Sequence, residues 1–424
     1  MSDNKIIDDG MPPPPATTWT QQDKEQVALL LAELDVMLVR PDGRMSKTGT
    51  LMQESLSEVC NPLLNPEQDR RTFWYPYRNG EKPMSDFFAT WFYYAPVPTG
   101  IGPGYYIEQW DYLANTKAGL ILNNEDQCFK NWFVDFLNLR GAWLNSTDSK
   151  GSIDKWMAYQ GTTEHPFDIS EYIVPEGGFQ SFNQFFLREL KPGKRLMCPC
   201  ADDSDVVVAP CDGGVFYLTR GQLEGNKYPL PGKSHDVLQL EQSLPGYGGS
   251  FIGGPLLDIL LWFTDYHHFR APVSGTVIHQ GMYEGSYNYD FDNYDPNDPY
   301  APALPSGSDR VGWYRSLGKH KRYVWIFRTK ELGLVAMMAI GFWGVGSIIN
   351  EVPEGATLKK GDRMGHFGYG GSSIVLAFEP NLDLQFGVQN AKGGTTLVND
   401  PDSPTLMQIQ QCLGRRTPPM KWFD

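Results

Sequence analysis

The sequence predicts an α+β protein in which a helical N-terminal region is followed by a β-rich domain, and three features point to that division. Apolar residues recur at helical spacing from residue 20 to about 160. From about residue 170, short β-branched runs broken by glycine and proline replace them. Near the C-terminus the run Gly368-Tyr369-Gly370-Gly371 passes through Ser372 and Ser373 into the apolar stretch Ile374-Val375-Leu376. The expected boundaries are a disordered tail over 1–19, a helical domain over 20–160 and a sheet-rich domain over 161–424.

Composition narrows the function. Hydrophobic residues make up 41% and charged residues 20% of 424, as in a globular chain long enough for a large core. A net charge of −14 argues against nucleic acid and anionic membrane surfaces as partners. No apolar run reaches the roughly 18 residues of a membrane helix. The N-terminus, with Asp3, Asp8, Asp9 and prolines from Pro12 to Pro15, lacks the basic and apolar regions of a signal peptide. A soluble, cytoplasmic protein without an integral membrane segment is therefore expected. Six cysteines in so long a chain do not make a disulfide framework. Cys198, Cys200 and Cys211 invite a zinc reading, but structural zinc prefers a two-residue spacer and a fourth ligand. Reduced thiols and no metal are expected.

Taken in order, the tail is polar and proline-rich. Thr20 with Asp23 forms a helix start, and Val27, Leu30, Leu31, Leu34 and Leu38 then share one helical face. The aromatic stripe Phe87, Phe88, Trp91, Phe92, Tyr93 and Tyr94 reads as core, and Pro96, Pro98, Gly100, Gly102, Pro103 and Gly104 break the helices after it. A short aromatic helix lies within 177–188 and ends at Lys191-Pro192-Gly193. Strands are expected at Val206–Ala209, Gly214–Leu218, Gly275–His279, Tyr323–Phe327, Leu334–Ile340, Gly346–Val352 and Ile374–Phe378. The polar stretch 283–309, with Asp290, Asp292, Asn293, Asp295, Asn297 and Asp298, is read as a surface loop or lid. A calcium site is disfavoured there because the glycine and glutamate of a helix-loop-helix site are missing.

Ser372 has two readings. One is a glycine turn entering a buried strand; the other is a nucleophile aimed at the peptide bond joining it to Gly371. A hydroxyl attacks poorly at neutral pH unless a base takes its proton, and an imidazole oriented by a carboxylate is a common solution. Asp212, at a turn opening a strand, and His267 and His268 are the candidates. Their spacing alone does not bring them together.

The segment Phe-Gln-Ser-Phe-Asn-Gln-Phe-Phe-Leu-Arg-Glu-Leu-Lys-Pro-Gly-Lys-Arg at 179–195 resembles the opening of the phosphatidylserine decarboxylase family. The turn at Asp212, Asp-Tyr-His at 265–267, Ala-Pro-Val-Ser-Gly at 271–275, Val-Gly-Ser-Ile at 345–348 and Gly-Gly-Ser-Ser at 370–373 follow in the same order, so the resemblance spans roughly 170 to 385. It implies an inactive precursor that cuts itself between Gly371 and Ser372. Ser372 would attack the Gly371 carbonyl, and elimination and hydrolysis of the ester would leave a pyruvoyl group at 372. That ketone would form a Schiff base with a substrate amine and accept the electrons left when carbon dioxide departs, without pyridoxal phosphate. Gly370, Ser373 and Arg270 are assigned to substrate or oxyanion support. The two chains are expected to stay associated, and the number of subunits, a homo-oligomer included, is left open.

The chain departs from the family at one telling place. Where members read Tyr-His-Arg-x-His, this sequence has Tyr266-His267-His268-Phe269-Arg270. Arginine stays protonated and is no base, so His267 is assigned to the chemistry and His268 to processing. The N-terminal half is similar to the soluble L-tryptophan (amino-acid) decarboxylase branch at Ala95-Pro96-Val97, Asn115-Thr116-Lys117-Ala118-Gly119 and Trp143 to Ser149. A free, aromatic L-amino acid is thus favoured as substrate, with phosphatidylserine as the alternative and an inactive binding protein as the second.

Overall fold

The computed structural model describes residues 13–162, 165–219, 227–230, 233–236, 238–285, 320–342, 347–380, 382–389, 395–396 and 405–416. Helices come first: α1 Gln21–Leu38, α2 Lys47–Val59, α3 Gln68–Arg78, α4 Met84–Phe92, α5 Tyr105–Ala114, α6 Lys117–Asn124, α7 Gln127–Leu144 and α8 Ile153–Ala158. Thr20 caps α1 as its sequence suggests. Its Oγ1 accepts from the Asp23 N–H at 3.2 Å, while the Asp23 carboxylate accepts from the Thr20 N–H at 2.7 Å, so two orphan donors of the first turn are satisfied. Val27, Leu30 and Leu34 face inward, with Leu31 and Leu38 at the rim of the same core. The aromatic stripe of α4 is core through Phe87, Phe88, Trp91 and Phe92, whereas Tyr93, just past the helix end, is exposed. Trp110, Phe129, Trp132, Phe133 and Phe136 meet that stripe from α5 and α7. Ring packing at centroid separations of 4.7–6.4 Å supplies large apolar burial with defined geometry.

After α9, Phe182–Phe186, the chain turns to strands. In order these are β1 Val206–Val208, β2 Gly213–Thr219, β3 Lys227–Leu230, β4 Lys233–Asp236, β5 Leu256–Leu261, β6 His268–Arg270, β7 Gly275–Tyr283, β8 Arg322–Arg328, β9 Leu334–Phe342, β10 Ile348–Asn350, β11 Thr357–Leu358, β12 Arg363–Phe367, β13 Gly371–Phe378, β14 Leu384–Phe386, β15 Val388–Gln389, β16 Thr395–Thr396, β17 Thr405–Met407 and β18 Cys412–Arg416. Helix α10, Leu238–Ser243, interrupts them. Eight form one antiparallel sheet in the order β11-β7-β8-β9-β13-β5-β2-β17, while β10-β12-β6 and β1-β18-β14 form smaller sheets beside it. Strand β13 is interior, with Ser372 opposite Gly341 on one side and Leu261 on the other. Ile374, Leu376 and Phe378 enter one apolar cluster, and Val375 and Ala377 enter another across the sheet. Burial on both faces explains why the strand reads as an unbroken apolar run.

The sequence places the strand's start at Ile374, but pairing begins at Gly371. The glycine run is therefore partly sheet rather than a turn before it. The helical core continues without a break into Phe182, Phe186, Phe263 and Tyr369, so the helices close over the segment that leads into β13. The end of the expected disordered tail is ordered: Trp19 is buried, and Thr17 exchanges backbone hydrogen bonds with Asn145 and Thr147. The indole's apolar area against Phe92 outweighs the polar composition around it. The proposed lid and calcium residues Asp290, Asp292, Asn293, Asp295, Asn297 and Asp298 lie outside the described residues. No described helix is long and apolar enough to cross a membrane.

Candidate active site

Ser372 is fully buried on the second residue of β13, and its Oγ lies 3.3 Å from Nδ1 of His267. His267 ends the turn before β6, where its carbonyl accepts from the Phe367 N–H at 3.0 Å. On the other side of the ring, Nε2 lies 3.0 Å from the Trp262 carbonyl oxygen. A carbonyl only accepts, so Nε2 carries the proton and Nδ1 presents its lone pair to the serine hydroxyl. Burial first, and then the charge of Arg188, lowers the imidazole's pKa to about 3 and keeps it neutral. Phe186 covers the ring at a centroid distance of 4.0 Å.

Arg188 shapes this turn as well. Its guanidinium donates to the Thr264 and Asp265 carbonyls at 2.5 and 3.2 Å and lies over the Tyr172 ring at 4.2 Å. The Phe-Phe-Leu-Arg stretch at 185–188 therefore supplies both the ring that covers His267 and the cation that braces its turn.

The other expected residues divide. His268, the first residue of β6, makes its contacts with other groups than Ser372. Its Nε2 meets the Leu187 carbonyl at 3.2 Å and Glu189 at 3.6 Å, and its ring stacks on Tyr266. This corrects its assignment as processing base. Glu189 is one node of a buried network that also holds Tyr266, Arg363, Glu351 and His366. Arg270 shares the His268 side of β6 and donates to the Gly361 carbonyl at 2.9 Å. Asp212 does not orient the imidazole, contrary to expectation. Its carboxylate takes two bonds from Arg195 at 3.0 Å and one from the Ile409 N–H at 2.8 Å, and Arg195 is shared with Glu171 at 2.6 Å. The orienting acceptor is the Trp262 backbone instead. Asp265 holds the Trp262 N–H at 2.6 Å, and burial first, then the Asp212 charge, pushes its carboxyl up to about 7.

Ser373 points to the opposite face from Ser372 and donates to Asp258, a fully buried carboxylate on β5. Gly370 takes φ +144°, a conformation that L side chains rarely adopt, immediately before the Gly371–Ser372 bond. Behind it, a cavity of about 50 Å³ is lined by Trp91, Ile107, Arg140, Asn183, Gly368 and Tyr369 among others. Arg140 there donates to the Phe92 and Tyr94 carbonyls, and Tyr369 donates to Pro103 at 2.6 Å. The cysteine group weighed and set aside as a zinc site changes in membership. Cys211 is core, while the sulfurs of Cys198, Cys200 and Cys412 lie within 4.8 Å of one another.

The chain is 30% identical over 262 residues to phosphatidylserine decarboxylase proenzyme 3 of Schizosaccharomyces pombe, covering 61% of this chain and 24% of that protein. It is 26% identical over 313 residues to decarboxylase iboD of Amanita muscaria, covering 65% and 83% respectively. It is 28% identical over 247 residues to a phosphatidylserine decarboxylase proenzyme of Fusobacterium nucleatum, covering 57% and 72%. The match thus spans about a quarter of the Schizosaccharomyces protein. The family model for phosphatidylserine decarboxylase matches residues 182–399, from the helix that covers His267 past the strand that carries Ser372. With just over half of its length inside that match, the chain belongs to the phosphatidylserine decarboxylase family.

Proposed function

We propose that the chain cuts itself between Gly371 and Ser372 and then acts as a pyruvoyl-dependent decarboxylase. The observation that carries this reading is the neutral His267 imidazole with its Nδ1 lone pair 3.3 Å from the Ser372 hydroxyl. His267 takes the hydroxyl proton as Oγ attacks the Gly371 carbonyl carbon, and the Ser372 nitrogen leaves as the ester forms. Loss of the Cα proton of residue 372 then expels the Gly371 carboxylate, and water releases ammonia. Burial of the whole site limits premature attack on the ester by bulk water. Ser372 fits the role of cofactor precursor because its hydroxyl already meets a base in a dry site. The resulting pyruvoyl group supplies a ketone for the substrate amine and an electron sink for the departing carboxylate, without pyridoxal phosphate.

The residues after the cut remain laced into the sheet. Strand β13 lies between β9 and β5, β17 pairs with β2, and β18 pairs with β1, so the two chains stay together.

Phosphatidylserine is the first reading for the substrate, supported by the names of the relatives from Schizosaccharomyces, Fusobacterium and rice. A free L-amino acid is the second. It is favoured by the enclosure of the site beneath the helices, and it fits the relative from Amanita, whose name, decarboxylase iboD, states no lipid. The test combines intact mass with carbon dioxide release. Two chains parted at Gly371 and Ser372 are expected, and active protein made of one uncut chain overturns self-processing. Release from phosphatidylserine vesicles or from an amino-acid panel chooses the substrate, and release from neither overturns the decarboxylase reading.

A further inference from the structure

A second cluster of reactive groups lies away from Ser372. Cys198 and Cys200 occupy the turn before β1, and Cys412 opens β18. The Cys200 sulfur is 3.0 Å from that of Cys412 and 3.5 Å from that of Cys198, and all three side chains are partly exposed. Their separation is fixed by contacts that do not involve sulfur. The Cys198 N–H donates to the Gln410 carbonyl at 3.1 Å, Val208 stands opposite Cys412 in the β1–β18 ladder, and Arg415 pairs with Asp203. Lys360 Nζ holds the same turn through the carbonyls of Ala201, at 3.0 Å, and Asp203.

This frame suits a sulfur–sulfur bond better than an ion. Closing the 3.0 Å gap to the roughly 2.05 Å of a disulfide takes about 1 Å of movement. A zinc ion at about 2.3 Å from each sulfur would instead spread the sulfurs to about 3.8 Å and would require a fourth ligand. The thiols are also unequal. Burial works against the Cys200 thiolate, but hydrogen bonds from Cys412 and Cys198 draw its pKa below the ordinary thiol value, while burial first pushes Cys412 up. Cys200 is thus the attacking sulfur.

We propose that Cys200 and Cys412 form a reversible disulfide when a low-molecular-weight disulfide such as oxidised glutathione is present. The Cys200 thiolate attacks one glutathione sulfur and releases the other half as glutathione thiolate. Cys412 gives its proton to water and attacks the Cys200 sulfur of the mixed disulfide, releasing the second glutathione. Two protein thiols are oxidised by two electrons and one glutathione disulfide is reduced. The bridge itself does not depend on the proposed function, but one consequence rests on it. Cys200 precedes the Gly371–Ser372 bond and Cys412 follows it, so the bridge joins the two chains covalently after the cut.

The test equilibrates reduced full-length protein with oxidised glutathione, alkylates it with N-ethylmaleimide in denaturant, and reads mass, peptides and a non-reducing gel. The expected result is loss of two of the six adducts, a peptide linking Cys200 with Cys412, and one band that separates into two on reduction. Cys200→Ser and Cys412→Ser each abolish the link, whereas Cys198→Ser keeps it. Six adducts after oxidation overturn the proposal, as does a link that joins Cys198 instead. The bridging peptide forms even in an uncut chain, so failure of the cut and failure of the bridge give different results.

Discussion

Ser372 Oγ stands 3.3 Å from His267 Nδ1, and the same ring's Nε2 is tied to a backbone carbonyl rather than to a carboxylate. The consequence is a base whose tautomer is set by the fold of the 262–267 turn. Ser372→Ala removes the nucleophile and leaves Nδ1 facing a methyl group. A single uncut chain is expected by intact mass, with the fold retained because the substitution leaves the buried strand apolar. Two chains in this variant would take Ser372 out of the reaction.

The two neighbouring histidines separate cleanly by substitution. His267→Gln should slow chain splitting by about 10²–10⁴-fold, the range for loss of a positioned base. His268→Gln keeps a donor toward the Leu187 carbonyl and should leave splitting within a few-fold, while loosening the Glu189 network by about 1–3 kcal/mol. A time course of splitting in cell-free synthesis reads the rates, and thermal melting reads the stability. Slow splitting in the His268 variant alone would reverse the assignment.

The sequence points to His267 for the chemistry but equally admits His268 as the processing base, and only the contacts of the two rings separate them. The Thr20–Asp23 cap and seven of the eighteen described strands were legible, because they follow from local periodicity and capping. What joins elements distant in the chain was not. Asp258 interrupts the apolar run of β5 and reads as a misplaced charge until Ser373, 115 residues away, is brought across the sheet to donate to it. Asp212 looked like the partner of the imidazole because a carboxylate near a strand start suits that role. Arg195, from the end of the 179–195 segment, claims it instead.

Asp212→Asn follows from that pairing. Asparagine still accepts from the Ile409 N–H but gives Arg195 no charge, leaving the guanidinium to Glu171. Breaking a buried ion pair by removing one partner costs about 3–5 kcal/mol, and the remaining Glu171 contact places this variant at the low end. A lower Tm is expected, with splitting within about threefold of the original in the folded protein. Unchanged Tm with splitting lost would return Asp212 to the chemistry.

The pH dependence has a definite sign. His267 protonates near pH 3 when folded against about 6.5 when unfolded, so the folded chain binds fewer protons between those values. The stability this contributes is present above about pH 6.5 and is lost as the pH falls toward 3. Asp265 works the other way. Its carboxyl is raised to about 7, so its contribution is present below about pH 4 and is lost as the pH rises through 7. Melting curves from pH 4 to 8 should therefore show His267→Gln gaining relative stability on the acid side and Asp265→Asn gaining it on the neutral side. The splitting rate should show no inflection from the His267 imidazole between pH 5 and 8, because that group is already neutral; one that His267→Gln removes would mean that the ring titrates there.

Gly370→Ala tests the geometry of the scissile bond. At φ +144° an L side chain is strained by about 1–3 kcal/mol, and relief comes by rotating the chain immediately before Gly371. Such rotation swings the Gly371 carbonyl relative to a Ser372 hydroxyl that β5 and β9 hold in place, and misplacement of about 1 Å is enough to cost roughly 10²-fold. Gly355→Ala is the comparison, since Gly355 also has positive φ, +72°, but open space around it and no role near Ser372. Both variants should melt at lower temperature, whereas only Gly370→Ala should split slowly. Equal splitting in the two would mean that the glycine before the bond serves the fold alone.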